Sequence, residues 1–275
     1  MAVLLALLSS GLWGSADFLG GLLSRQRAPY AVVGASQAVG LVVATIAALV
    51  TWGFGSPLGW LVPSVLAGVC GSLALVSFYA ALATGTMGVV SPIAALGAVV
   101  PVVGGLLAGE QPSALASSGI VLALLGAVAA SGPELRGTAG ARPVVLAVVA
   151  GLGFGLAMLL IARAAETDAV MAMWGMRLTS VLGFTVAALV TRNLGGLKPA
   201  DVGPLVVVGT GDVSANLLFG IASQIGYVSV TSVLASLYPV ATVLLARIFL
   251  HERLLRIQYV GITAALAGVA LVSIG

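Results

Sequence analysis

Apolar runs of about 20 residues follow one another along almost the whole chain, separated by short polar turns. A run of that length crosses the ~30 Å hydrocarbon core of a bilayer as a helix. Inside lipid, only helices and closed barrels satisfy every backbone hydrogen bond. We read ten such segments, near residues 2–23, 30–51, 58–82, 86–108, 115–131, 143–163, 169–190, 202–222, 227–250 and 257–273. The breaks between them, among them "SRQRAP", "GEQPS", "GPELRGTAGARP" and "LHERLLR", hold the turn formers and most of the charge. Only 7% of the 275 residues are charged, against about a quarter in a soluble domain. The expected fold class is therefore an all-α integral membrane protein with ten transmembrane helices.

The same composition removes several functions. Lysines and arginines are scattered between the apolar runs rather than gathered on one face, so nucleic acid is not an expected partner. One cysteine, Cys70, and one histidine, His251, assemble neither a disulfide nor a Cys/His metal site. The stretch "GTGDVSAN" follows no strand and precedes no Lys-Ser/Thr pair, which argues against a phosphate loop and nucleotide hydrolysis. No cofactor is expected. The opening "MAVLLALLSS" lacks a basic leader, and its apolar run continues past any cleavage point, so it reads as the first membrane helix.

The longest polar break, around 132–142, divides the chain near its centre and prompts a search for duplication. "GIVLALLGAVAAS" from Gly119 aligns with "GITAALAGVALVS" from Gly261, 142 residues on, and the same offset sets Glu110 on Glu252. Gly88, Ser91 and Pro101 fall on Gly226, Ser229 and Pro239 at an offset of 138, about one helical turn different. Two repeats of five helices, residues 1–137 and 138–275, are expected. An odd helix number inverts the second relative to the first, an arrangement that commonly sets a substrate site at the midplane between the halves.

Three charges lie deep in apolar segments: Asp17, Arg177 and Asp212. Each costs at least ~2.5 kcal/mol at a helix centre, so such groups face a partner, the bundle interior or water. On the first segment Ser10, Trp13, Gly14, Asp17 and Gly21 share one helical face, and on the eighth Gly209, Asp212, Asn216, Phe219 and Gly220 do the same. Arginine keeps its proton whereas a desolvated carboxylate can titrate. One aspartate can thus neutralise Arg177, leaving the other for a cationic group or a coupling proton, or Arg177 can hold both in a structural network. Trp13, Tyr79, Trp174 and Tyr238 supply rings for cation–π contact or an apolar pocket. Pro92, Pro101 and Pro239 mark helix kinks, and Ser91 and Ser229 occupy matched places beside a pathway. Glu110 and Glu252 stand at helix ends, placed to cap the helix that follows.

"WGSADF" in the first segment, "AGEQPS" after the fourth, "HERL" after the ninth and the two glycine-rich helices that follow resemble the EamA branch of the drug/metabolite transporter superfamily. The resemblance spans essentially the whole chain. It implies two inverted five-helix repeats around a central cavity, and export or exchange of small metabolites. That family often carries an arginine in the second helix of each repeat. Here Arg177 has Gln37 as its counterpart 140 residues earlier, so Gln37 joins the candidate substrate or proton site.

Together these features predict a secondary transporter of the inner cell membrane, a monomer or homodimer that exports amino acids, amines or similar solutes by alternating access, with protons as a candidate coupling ion. The other readings are an intramembrane enzyme built on an Asp17/Asp212 dyad, and a channel or non-transporting scaffold. Loop charge, concentrated after odd-numbered segments, sets both termini outside, whereas the resemblance implies both inside.

Overall fold

The computed structural model describes residues 1–84, 90, 93–130, 141–193, 195–249 and 255–274. Among these there is no strand. The helices are α1 (Ala2–Ser24), α2 (Pro29–Val50), α3 (Leu61–Thr84), α4 (Val99–Leu107), α5 (Ala114–Ala130), α6 (Ala141–Ala165), α7 (Ala169–Thr191), α8 (Val202–Ile225), α9 (Val228–Ala235), α10 (Tyr238–Phe249) and α11 (Arg256–Ile274). Six helical stretches are long and apolar enough to cross a membrane, and four shorter apolar ones accompany them. Ser91, Pro92, Gly88, His251, Glu252 and the expected repeat boundary at 137/138 lie outside the described residues.

Local chemistry sets the starts of several helices. Pro29 opens α2 at its first position, where a missing N–H costs nothing. Asp168 caps α7 by accepting from the Val170 and Met171 N–H groups, both at 2.9 Å.

The fourth and ninth segments are not the continuous helices expected for 86–108 and 227–250. A 3₁₀ turn at Leu96–Ala98 precedes α4, and the helix breaks between α9 and α10. The prolines account for both interruptions. A proline ring clashes with the carbonyl four residues earlier, which for Pro101 is Gly97 within the 3₁₀ turn and for Pro239 is Ala235, the last residue of α9.

Pairs of helices pack along their lengths: α5 on α11, α3 on α6, α1 on α8 and α2 on α7. Lipid tails supply no hydrophobic drive for such pairing, so close approach through small residues does the work. A Cβ on Gly126 would collide with the Ala265 backbone, and one on Gly268 would sit 2.5 Å from the Ala123 nitrogen. The two glycine-rich repeat helices are thus pressed against each other. Outward-facing Leu125, Leu189 and Val42 are each at least 60% exposed, an apolar exterior that a bilayer covers.

Candidate functional site

The site forms where α1, α2, α7 and α8 cross. Ser9 of α1 donates to the Ala215 carbonyl of α8 at 2.8 Å, and the small residues beside it let the two helices approach. One turn further on, Trp13 Nε1 donates to Asp212 Oδ1 at 3.1 Å. Arg177, on α7 and 3% exposed, places Nη1 2.9 Å from Asp212 Oδ2 and also donates from it to Gln37 Oε1. Gln37 Nε2 then donates to Asp212 Oδ2 at 3.2 Å. The amide therefore bridges cation and anion, giving its oxygen to one and its N–H to the other. This explains the glutamine at the place where the resembled family often has arginine: a second guanidinium there would stand against Arg177.

Asn216 completes the group, donating to Asp212 Oδ1 at 3.0 Å and to its carbonyl at 2.7 Å. Four side chains thus converge on Asp212, about as many as a carboxylate can accept.

Asp17 stands one turn from Trp13, 7% exposed, and has a different partner. The Tyr79 hydroxyl of α3 stands beside its carboxyl. Gly20 makes this reach possible, because any Cβ there would run into the Tyr79 ring. The two aspartates are therefore held by different groups, an arrangement unlike a proton-sharing dyad.

A cavity of about 70 Å³ opens among these residues, lined by Trp13, Asp17, Gln37, Arg177, Asp212, Asn216 and Tyr238 with an apolar remainder that includes Leu75, Phe154, Met158 and Met176. It is well below the ~300–1,000 Å³ of pockets for drug-sized ligands. Sequence reasoning did not pick out the apolar lining or Ser72 and Ser180, whose hydroxyls meet at 2.7 Å. Their only signal was a polar residue on an apolar helix, which back-bonding to the helix explains equally well.

Other candidates fall elsewhere. Trp174 does not line the cavity. Its indole donates to Thr45 Oγ1 at 3.2 Å, and its ring meets Phe54 and Trp60 edge-on at 5.2 and 6.2 Å. Tyr79 touches Asp17 from behind the cavity wall. Pro101 and Pro239 shape the two helix breaks, and the second brings Tyr238 to the cavity. Ser229 is buried at the start of α9. Its N–H and that of Val228 donate to the Glu110 carboxylate at 2.9 and 2.5 Å. Glu110 thus caps a helix, but not the next one in the chain as expected.

Residues 141–274 match the model of the EamA-like transporter family. Nearly half of the chain, its second half, is thus EamA-like. Proteins of that family are membrane transporters, so the chain is a multi-pass membrane protein with a small-molecule substrate and a lipid environment. One solved crystal structure of a protein superposes with a TM-score of 0.79 over 99% of this chain and 96% of that one, at 18% identity. That likeness concerns the fold alone. No curated protein gives a significant match.

Proposed function

We propose that this chain is a secondary carrier of the inner cell membrane that exports a small organic solute, an amino acid, amine or similar molecule, by alternating access with proton coupling. The observation that carries the reading is a buried ionic group, Arg177 with Asp212, beside a separately held Asp17 in the wall of one cavity. Charges this deep are expensive unless they serve a pathway.

The carrier has ten crossings in two inverted repeats, residues 1–137 and 138–275. The packing supports this. With α1 matched to α6, α2 to α7, α3 to α8, α4 to α9 and α10, and α5 to α11, the contacts of one repeat recur in the other. α1 packs on α8 as α6 packs on α3, and α2 on α8 as α7 on α3. Gly14 of α1 abuts the Tyr238 carbonyl at the break before α10, and Gly155 of α6 abuts the Gly97 carbonyl in the 3₁₀ turn before α4. Each repeat thus seats the broken helix of the other, the kind of joint that rocking requires.

Of the two carboxylates, Asp17 is the coupling group in this reading, because Asp212 is committed to Arg177. Reconstituted protein should show saturable counterflow of its substrate and flux driven by a pH gradient. Asp17→Asn should abolish the second while the protein remains folded, and undiminished pH-driven flux in that variant would sink the coupling role.

A further inference from the structure

The cavity treats the two ends of an amino acid unequally. Its charged lining consists of two acidic side chains and one guanidinium, Asp17, Asp212 and Arg177, and so holds one carboxyl group more than it has cations to pair. Asp212 is already met by Arg177, Gln37, Trp13 and Asn216. Asp17 is met by the Tyr79 hydroxyl, and among the described residues no arginine or lysine forms an ion pair with it. A carboxylate has about four acceptor sites, and Asp17 lines the cavity with the Tyr79 hydroxyl as its neighbour.

A substrate carboxylate finds no comparable place. The Nη1 group of Arg177 is used by Gln37 and Asp212. Its Nε and Nη2 atoms are sealed from the cavity, without partners. Nε is packed against α2, where a Cβ on Gly40 would stand 3.3 Å from it. The cavity therefore presents a carboxyl group and withholds the guanidinium. The rings of Trp13 and Tyr238, in the same wall as Asp17, add faces that attract a cation and repel an anion.

Building on the carrier reading above, we infer that the substrate is a compact organic cation, an ammonium solute without a carboxylate, whose nitrogen is received by Asp17. The small cavity volume fits such a solute better than an aromatic amino acid. Asp212 acts at a distance: by neutralising Arg177 it removes the charge that would otherwise repel the ammonium group.

The test is thermal stabilisation of the purified full-length protein by four solutes of matched size: propylamine, propionate, alanine and propanol. A ligand that binds the folded state raises its melting temperature by mass action. Propylamine is expected to stabilise, with the other three giving at least tenfold weaker binding. Asp17→Asn is expected to remove the propylamine effect, and Asp17→Glu, which keeps the charge, to retain it within about tenfold. Far-UV circular dichroism on both variants shows that loss of binding is not loss of fold. Selective stabilisation by propionate or alanine, or propylamine binding that survives in Asp17→Asn, overturns the ammonium assignment while leaving the carrier standing. Failure of counterflow with every solute class overturns the carrier reading and the assignment with it.

Discussion

Arg177 Nη1 lies 2.9 Å from Asp212 Oδ2, and this contact ties α7 to α8 across the same cavity that Asp17 faces from α1. Because the pair is buried, each partner is needed chiefly to keep the other from being left alone. Breaking a buried pair by removing one partner costs ~3–5 kcal/mol, whereas replacing both by apolar groups is often close to neutral. Asp212→Asn is therefore expected to lower the melting temperature sharply, and the double variant Arg177→Met/Asp212→Leu to recover most of the loss. A single variant as stable as the parent would mean that the pair does not compensate the buried guanidinium.

Gly126 and Gly268 make a separate prediction, about packing rather than charge. Each has neighbouring backbone where its Cβ would be, so α5 and α11 meet backbone to backbone. Gly126→Leu is expected to destabilise by more than the ~1–3 kcal/mol of ordinary overpacking, because backbone, unlike a side chain, cannot change rotamer to make room. Gly183, with open space where its Cβ would stand, provides the control: Gly183→Ala should leave the melting temperature unchanged or slightly raised.

How far the chain could be read without coordinates follows from the kind of signal each feature carries. The long apolar runs were legible because lipid demands them, and Asp17, Arg177 and Asp212 were legible because a charge in such a run is expensive. Pro101 and Pro239 announced the interruptions, but the breaks fall up to four residues before each ring, where the proline acts on its predecessors' carbonyls. Pairing was not legible. Nothing in the helical periodicity of α1 and α8 tells whether Arg177 meets Asp17 or Asp212, since both sit on small-residue faces. Trp174 shows the same ambiguity for aromatics: only three positions from Arg177, its ring turns to Phe54 and Trp60 instead. The apolar lining, Met158 and Met176 among it, is indistinguishable in sequence from core.

Arg27 and Asp201 form a two-point contact, with Nε to Oδ2 at 2.6 Å and Nη2 to Oδ1 at 3.3 Å. It joins the turn after α1 to the 3₁₀ turn before α8. Loss of this partly exposed pair should cost little stability, but because it joins the two halves of the chain it matters for movement. Arg27→Ala is accordingly expected to change transport rate more than melting temperature. Equal rates in parent and variant would remove Arg27 from the moving parts.

Glu110 provides the corresponding contact at the opposite end. Gly226, next to the α9 start that Glu110 caps, packs against Ala2, whereas Arg27 lies just beyond the far end of the 23-residue α1, ~35 Å away along that helix. Both contacts join the first half of the chain to the second, and both are formed here. If the halves rock, one contact must open while the other stays closed. Glu110→Ala removes a carboxylate from two backbone N–H groups, a loss of ~1–2 kcal/mol in capping and dipole terms, and should favour the state open at the Ala2 end. Arg27→Ala should favour the reverse. The measurement is one-sided labelling in proteoliposomes with an impermeant maleimide, using Ser72→Cys in the cavity wall on a Cys70→Ser background. Labelling is expected to rise from one face in the Glu110 variant and from the other face in the Arg27 variant. A rise from the same face in both variants, or no change in either, would show that these contacts are not the two gates of one pathway.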